Sequence, residues 1–303
     1  MTRIALIGFG EAAQALARGL GKEGGLDGLT AFDLRFADAA QAPELERRAA
    51  DSGVRACGSV AEAVAGADVV LSLVVGSAAV AVGEAAGGAL RGGQIFVDLN
   101  SISPDTKLKV GEALAGGGGG AGFVEGAVMA RVPPHLHKVP ILLAGGEAER
   151  AADLLNALGM SCEAVGDRVG QACAVKMIRS VIVKGVEALL LESLTAAEKA
   201  GVRERILDSI SETFPGVDWR ATATYHIGRT HQHGPRRVTE MEEAAATLRG
   251  LGLEPVLSTA IARTIGTSYA KLESSGVPFD SPYPDLLHAL AADEGASPVG
   301  TAA

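Results

Sequence analysis

Aromatic residues, cysteines and positive charge are all scarce in this sequence. Of its 303 residues, 4 % are aromatic, three are cysteines and 27 are lysine or arginine, against 36 aspartate or glutamate. The net charge of −9 argues against a general nucleic-acid binder, because neutralising phosphates requires a surplus of cations. The three widely spaced cysteines match neither a disulfide framework nor a zinc-ligand spacing, so we predict a reduced protein without a metal site.

Long apolar runs are also missing. No uncharged run approaches the length of about 18 residues that a membrane span requires, so we expect no membrane span. The first ten residues, MTRIALIGFG, enter a strand pattern at once and lack the regions of a signal peptide. We therefore expect a cytoplasmic protein. Apolar residues make up 48 % of the chain, which is typical of globular proteins, and the length favours two domains.

Short apolar runs alternate with amphipathic segments in the first half of the chain. We predict strands at residues 3–7, 29–33, 69–75, 95–99, 123–128 and 141–144, and continuous apolar runs such as 69–75 are typical of strands buried on both faces. Strands that alternate with helices predict a parallel sheet. Later segments have only helical patterns, at 169–200, 203–213, 236–250 and 256–274. We predict an α/β Rossmann domain with a mainly parallel sheet (1–167), an all-α domain led by a long interdomain helix (168–292), and a disordered tail (293–303).

The segment GFGEAA at residues 8–13 has the G-x-G-x-x-A pattern of a dinucleotide-binding turn. It lies between a predicted strand and a predicted helix, as that turn requires. Gly8 permits the tight turn, Gly10 lets a pyrophosphate approach the backbone, and Ala13 lets the helix pack on the strand. The helix N-terminus would bind the phosphates. We predict cofactor contacts from this turn and from later loops, at Gly8, Phe9, Gly10, Glu11, Ala12, Asp33, Arg35, Val74, Val75 and Asn100.

The choice between NAD and NADP depends on two residues after the second predicted strand. Asp33 stands where an acid binds the ribose hydroxyls of a dinucleotide. Its carboxylate would repel a 2′-phosphate, which favours NAD. Arg35 could instead pair with that phosphate. NAD is slightly favoured, and NADP remains open.

Four polar residues of the long predicted helix share one face. Lys176, Ser180, Lys184 and Glu187 follow one another at helical spacing. A lysine that faces a nicotinamide would be partly desolvated, which lowers its pKa and suits proton transfer to or from a hydroxyl. Ser180 could bond the same oxygen, and Lys184 could bind a substrate anion. Spacing alone nevertheless favours solvated lysines without a catalytic role.

Two further groups of residues are candidates for substrate binding. Asn100 and Ser101 follow the strand at 95–99, at the sheet edge where ligands bind, and either could contact a substrate carboxylate or the nicotinamide ribose. The alternative is a helix N-cap before the next helix. Arg236 lies in a basic cluster that could bind a substrate anion across a dimer interface. Its spacing to Glu240 equally predicts a salt bridge.

With these motifs in order, the sequence resembles the β-hydroxyacid dehydrogenase and 6-phosphogluconate dehydrogenase superfamily. DLNSISP at 98–104 is similar to its D-x-S-T-x-x-P segment. VEGAVMA at 124–130 stands at the place of its substrate loop, D-A-P-V-S-G-G. GQACAVKMIRS at 170–180 resembles its G-x-G-x-x-x-K-x-x-N-N segment. The segment 229–243 is similar to a less characterised subgroup that has its own helical C-terminal domain.

The resemblance implies an NAD(P)-dependent oxidoreductase. Hydride would move between the nicotinamide and a secondary alcohol or ketone of a small β-hydroxy acid or sugar acid, with decarboxylation as an option. The family's catalytic lysine falls on Lys176, and Ser180 is our second catalytic candidate. The small anionic substrate would contact Ser101, Met129, Lys184 and Arg236. The resemblance also implies a homodimer formed through the helical domain.

The sequence departs from the family pattern where the substrate would bind. Ser180 replaces an amide, Asn100 replaces a serine, and Met129 begins the triplet that replaces Ser-Gly-Gly. Two alternatives stay open, the first implied by some relatives in the family and the second by these departures. One is an imine reductase-like activity, which Lys176 disfavours because proton donation to nitrogen often uses a different residue there. The other is a dinucleotide-binding sensor without turnover, which the departures motivate and Lys176 opposes.

Overall fold

The computed structural model describes residues 1–22 and 24–292, so the tail 293–303, for which we predict disorder, lies outside the described residues. The chain divides into two compact units, Met1–Lys176 and a second unit that begins at Met177. This division falls inside a long helix, whereas we placed the domain boundary before that helix, between residues 167 and 168. Within the described residues, no helix is both long and apolar enough to cross a membrane.

An eight-stranded sheet forms the centre of the first unit. In chain order the strands are β1 (Thr2–Ile7), β2 (Leu26–Phe32), β3 (Arg55–Ala56), β4 (Val69–Ser72), β5 (Ile95–Asp98), β6 (Gly122–Val128), β7 (Pro140–Ala144) and β8 (Ser161–Gly166). Their spatial order is β3-β2-β1-β4-β5-β6-β7-β8. Every neighbouring pair is parallel except β6 with β7. The predicted Rossmann domain with a mainly parallel sheet is therefore confirmed.

Helices cover both faces of this sheet. They are α1 (Glu11–Leu20), α2 (Ala42–Asp51), α3 (Val60–Val64), α4 (Ala79–Gly87), α5 (Pro104–Gly116), α6 (Val132–His135) and α7 (Ala148–Asn156). Alternate residues of β1 belong to different apolar clusters: Ile4 and Leu6 to one, Ala5 and Ile7 to the other. Because successive side chains of a strand point to opposite faces, the sheet is buried on both sides. This is why its central strands are continuously apolar.

The glycine run at 116–120 packs closely against α4. A Cβ atom on Gly119 would lie 1.8 Å from the carbonyl oxygen of Leu90, and one on Gly117 would lie 2.1 Å from the carbonyl carbon of Gly87. Neither position has room for a side chain. These glycines allow the segment between α5 and β6 to lie directly on the backbone that follows and ends α4.

Helices alone form the described part of the second unit. The long helix α8 (Gln171–Lys199) leads into it, and α9 (Arg203–Thr213), α10 (Trp219–Gly250), α11 (Val256–Ser275) and α12 (Tyr283–Ala291) follow. The predicted helical character is confirmed. The helix that we predicted at 236–250 follows a kink at His233 (φ −139°, ψ 20°), where two helices join within α10, and the helix from Trp219 to this kink is one that we did not predict. Pro235 explains the bend, because proline disrupts the preceding helical turn.

Candidate active site

The glycine turn after β1 has the geometry that a dinucleotide phosphate requires. Gly8 has φ +88°, and a Cβ atom there would lie 2.5 Å from the carbonyl oxygen of Leu73, so only glycine fits. Gly10 is the N-cap of α1 in an extended conformation. No atom lies within 4 Å of the position that a Cβ on Gly10 would take. Open space therefore adjoins the N-terminus of α1, and a pyrophosphate could approach the backbone there.

Asp33 is held beside this turn by four hydrogen bonds. Its Oδ2 accepts the backbone N–H of Phe9 at 2.7 Å, and its Oδ1 accepts that of Arg35 at 2.9 Å. The guanidinium of Arg35 donates to both carboxylate oxygens at 2.8 Å. Burial raises the pKa of Asp33, but the hydrogen bonds from the Arg35 side chain and from the two backbone groups outweigh it, so this pKa lies below its ordinary value. The carboxylate is ionised at neutral pH, and Arg35 is bound to it.

Asn100 joins the loops that follow β4 and β5. Its Oδ1 accepts the backbone N–H of Val74 at 2.7 Å, and its Nδ2 donates to Ser72 Oγ at 3.1 Å and to Asp98 Oδ1 at 2.5 Å. The side chain of Asn100 is buried and bonded on both polar atoms. It fixes the shape of the loop, in which Val75 is 70 % exposed. Direct cofactor contacts by these residues remain predictions, as they do for the exposed Glu11 and half-buried Ala12 of α1.

Lys176 and Ser101 meet in the first unit. Lys176 Nζ donates a hydrogen bond of 2.6 Å to Ser101 Oγ. Ser101 is exposed and lies just beyond the carboxyl end of β5, whereas Lys176 is half-buried in the second turn of α8. The carboxyl ends of parallel strands form the edge at which α/β sheets bind ligands. An ammonium group and a hydroxyl therefore lie together at that edge, and both can bond a substrate oxygen.

A buried lysine, missed in the sequence, lies behind this edge. Lys107 Nζ donates to the carbonyl oxygens of Asp98 at 2.6 Å and Gly126 at 3.2 Å. It also lies 3.3 Å from Asp98 Oδ2, and both side chains are completely buried. The spacing of Lys107 to Val110 and Leu114, which places all three on the buried face of α5, was the available signal. We overlooked it because lysine is rarely buried.

Glu125, also missed, binds the start of α8. It is fully buried in β6. Its Oε1 accepts backbone N–H groups from Gly170 at 3.2 Å, Ala172 at 2.7 Å and Cys173 at 3.2 Å. Burial raises the pKa of Glu125 above its ordinary value, although the charge of Lys107 and the three backbone donors oppose the rise. The available signal in the sequence was a glutamate within the predicted buried strand at 123–128.

Met129 belongs to the loop that follows β6. Its backbone N–H donates to the carbonyl oxygen of Pro140 at 2.9 Å, and its side chain is half-buried. This bond ties the start of the loop to β7. Two residues further on, Arg131 is exposed. The predicted contact between Met129 and a substrate remains a prediction.

Three further candidates lie in the second unit: Ser180, Lys184 and Arg236. Lys184 is buried, with Nζ 3.0 Å from Glu240 Oε2, and it donates to Ser180 Oγ at 3.3 Å. Arg236 is exposed, with Nε 3.4 Å from Glu240 Oε1. The ion pair between Arg236 and Glu240, one of our two interpretations, is thus present. Substrate binding by Lys184 and Arg236 remains a prediction, as does catalysis by Ser180.

Glu187, one turn after Lys184, is the centre of a second buried charge network. Arg237 donates to both of its oxygens, and Thr230 Oγ1 donates to Oε1 at 2.5 Å. His226 Nδ1 lies 3.6 Å from Oε2, beyond hydrogen-bond distance. Burial raises the pKa of Glu187, but His226, Arg237 and Thr230 together hold it below its ordinary value. Within residues 1–22 and 24–292, no group of three acidic, histidine or cysteine residues could hold a metal ion.

Two segments of the chain match known protein families. Residues 3–101 match the family described as NADP oxidoreductase, coenzyme F420-dependent. Residues 197–267 match a domain of unknown function, DUF1932. The first match spans the glycine turn and the loop after β4 and ends at Ser101 in the loop after β5, and the second lies entirely in the helical unit.

The chain is similar to solved structures over nearly its whole length. A conserved hypothetical protein from Sinorhizobium meliloti 1021 is 53 % identical, with a TM-score of 0.81 and 96 % of each chain covered. A conserved protein of unknown function, described as structurally similar to 3-hydroxyacid dehydrogenases, is 30 % identical, with a TM-score of 0.73 over 96 % of this chain and all of that one. The 3-hydroxyisobutyrate dehydrogenase of Mycobacterium tuberculosis is 20 % identical, with a TM-score of 0.72 over 96 % of this chain and 100 % of that one, and shares the fold.

Proposed function

We propose that this chain, which belongs to the β-hydroxyacid dehydrogenase superfamily, oxidises or reduces a small β-hydroxy acid or sugar acid with Lys176 as general acid and base. Membership of this family supports an NAD(P)-dependent oxidoreductase that acts on CH–OH groups. The observation that carries the role of Lys176 is the 2.6 Å hydrogen bond between Lys176 Nζ and Ser101 Oγ at the carboxyl edge of the sheet.

The glycine turn fits the dinucleotide, because Gly8 lets the turn pack against Leu73 and Gly10 leaves the backbone open at the helix N-terminus. When bound, the nicotinamide supplies the acceptor or donor of a hydride. In oxidation, the neutral amine of Lys176 takes the proton of the substrate hydroxyl as a hydride leaves the carbon that carries this hydroxyl. In reduction, its ammonium returns that proton to the carbonyl oxygen. Ser101, which accepts from Lys176, holds the amine in place and can donate to a substrate oxygen.

The substrate that we propose carries a carboxylate. Met129 and Arg131 lie in the loop after β6, at the same edge of the sheet as Ser101. Arg131 is exposed and forms no ion pair within the described part of the chain. A cation at that edge supports an anionic substrate. Decarboxylation would follow only when the oxidised product is a β-keto acid.

We propose NAD rather than NADP as the preferred cofactor. Asp33 is ionised beside the glycine turn, and Arg35 already donates to both of its oxygens. A 2′-phosphate at this position would meet a carboxylate, and Arg35 would have to break two charge-assisted bonds in order to bind it.

Titration of the purified protein with NADH and with NADPH, followed by nicotinamide fluorescence, tests the cofactor proposal. Adding β-keto acids and sugar-acid-derived ketones to the same samples tests turnover. We expect Lys176→Ala to bind NADH normally and to lose about two or more orders of magnitude in kcat. Lys199→Ala, at the far end of α8, is the control. Unchanged turnover in Lys176→Ala would remove this lysine from the mechanism, and binding of neither cofactor would refute the whole proposal.

A homodimer formed through the helical unit is part of the proposal. On α8, Ile178, Ile182 and Leu189 are 44 %, 71 % and 70 % exposed, and their spacing places them on one face. Large apolar side chains exposed in a row are typical of protein contacts. Light scattering should give twice the chain mass of 30.7 kDa, and a monomer would refute the prediction.

A further inference from the structure

We propose that Glu125 is a positioning residue for Lys176, and that its buried carboxylate fastens the N-terminus of α8 so that Lys176 Nζ reaches Ser101. The catalytic part of this inference rests on the proposed function. The structural part does not, because the contacts lie within the first unit and can be tested without turnover.

The first step of the argument is geometric. The initial N–H groups of a helix have no partner inside the helix. At the start of α8, Glu125 accepts the N–H groups of Gly170, Ala172 and Cys173 at 2.7–3.2 Å. Lys176 follows Cys173 by three residues, which is less than one helical turn. The anchored N–H groups and the lysine therefore belong to the same short segment, and a shift of the anchor moves the amine.

The second step concerns the rigidity of the anchor. Glu125 lies in β6, opposite Asp98 of β5 on one side and Ala144 of β7 on the other. Its side chain has no exposed surface. Ser101, the partner of Lys176, follows β5 by three residues. One pair of neighbouring strands thus carries both the group that fastens the helix and the hydroxyl that its lysine must reach.

The third step concerns charge. A carboxylate can accept all three backbone donors, and a negative charge at a helix N-terminus is favourable because it opposes the helix dipole. A glutamine would be nearly isosteric and its oxygen could still accept the donors now on Oε1, but its amide nitrogen could not accept the Cys173 N–H that Oε2 accepts at 3.2 Å. It would also remove a negative charge less than two helical turns from Lys176. Removing an anion disfavours a nearby ammonium, so the amine should lose its proton at lower pH.

The test compares Glu125→Gln with Glu163→Gln, a matched change of an exposed glutamate on β8. Acetylation of Lys176 is followed against pH by peptide mass spectrometry, which reports the state of the amine without turnover. We expect the midpoint of labelling to move to lower pH in Glu125→Gln alone. We also expect kcat to fall by about 10-fold or more, with NADH affinity unchanged. If Lys176 is half-labelled at the same pH in both variants, the proposal is overturned and Glu125 is only a structural cap of the helix.

Glu125→Asp provides a second test, which also serves if the glutamine variant does not fold. Aspartate keeps the charge but is one methylene shorter, so it should retain the labelling midpoint and lose less kcat than glutamine. Equality of kcat between Glu125→Asp and Glu163→Asp would overturn positioning. If the wild-type protein turns over no substrate, the proposed function fails, and the labelling of Lys176 still decides the role of Glu125.

Discussion

Replacing Lys107 by methionine would remove the only cation that contacts the Asp98 side chain in the described chain. Lys107, Asp98 and Glu125 are all completely buried. Lys107 Nζ lies 3.3 Å from Asp98 Oδ2, and its charge lowers the pKa of Glu125 against the effect of burial. Methionine keeps the unbranched shape of the side chain and removes the ammonium. Two buried carboxyl groups would then lack a counter-charge.

The expected loss of stability is large. Removing one partner of a buried ion pair costs roughly 3–5 kcal/mol, because the remaining charge is left uncompensated. The two carbonyl oxygens that Lys107 bonds, those of Asp98 and Gly126, would also lose a donor. A typical protein has a free energy of unfolding of about 5–15 kcal/mol, so the first unit would lose a substantial part of its stability.

The loss should depend on pH. Burial already raises the pKa of Glu125 above its ordinary value of 4.5, and loss of the Lys107 charge raises it further. A carboxyl whose pKa is higher in the folded state than in the unfolded state binds more protons when folded. Its contribution to stability is therefore greatest below the unfolded pKa and is lost as the pH rises through the folded pKa. The variant should be least stable above that pH and should recover in acid.

Urea denaturation followed by far-UV circular dichroism at pH 5 and pH 8 is the assay. Lys109→Met, an exposed change on the same helix, is the control and should alter the free energy of unfolding by less than about 0.5 kcal/mol. The single tryptophan, Trp219, lies in the second unit, so its emission reports that unit separately. The reasoning is wrong if Lys107→Met loses no more free energy of unfolding than Lys109→Met, or if its free energy of unfolding is lower at pH 5 than at pH 8.

Three further predictions concern other sites. Arg237→Met should cost roughly 3–5 kcal/mol in urea titrations followed by tryptophan emission, because it leaves a buried carboxylate unpaired, whereas Arg236→Met, at an exposed side chain, should cost at most about 1 kcal/mol. Gly119→Ala should lower the melting temperature because the alanine Cβ would collide with the carbonyl oxygen of Leu90, whereas Gly116→Ala should not, because a Cβ at that position points into open space. Arg35→Met should change the ratio of NADPH to NADH affinity less than about 3-fold, and a selective loss of about 10-fold for NADPH would show that Arg35 binds the 2′-phosphate.

Much of the fold could be predicted because its physical causes are local. Strands buried on both faces are continuously apolar, and the glycine turn marks the first crossover from strand to helix. The strands that we missed lack this signal: β3 has two residues, and β8 has the sequence SCEAVG with no continuous apolar run. The glycine run at 116–120 has the composition of an exposed loop, and only the close approach of α4 requires glycine there.

The helical unit was harder to divide because its boundaries depend on packing between helices. A proline in the first turn of a helix indicates a helix start, and Pro235 is why we began a helix at residue 236. In the structure, α10 continues from Trp219 through a bend at His233, and eleven of its described residues are buried. Burial of its apolar face stabilises the helix on both sides of the bend. Local propensity at Pro235 indicated the helix after the bend, but it could not reveal the helix before it.

The candidate site shows most clearly what residue spacing cannot provide. Lys176 and Lys184 are equivalent in the sequence, two turns apart on one helical face. Lys184 is buried with its ammonium 3.0 Å from a carboxylate, whereas Lys176 bonds the exposed hydroxyl of Ser101. An ammonium held by a buried carboxylate is committed to the fold, because releasing it would leave a charge uncompensated. The two lysines therefore differ in the partners that their side chains bond, Glu240 and Ser180 for Lys184 and Ser101 for Lys176, and residue spacing cannot show this difference.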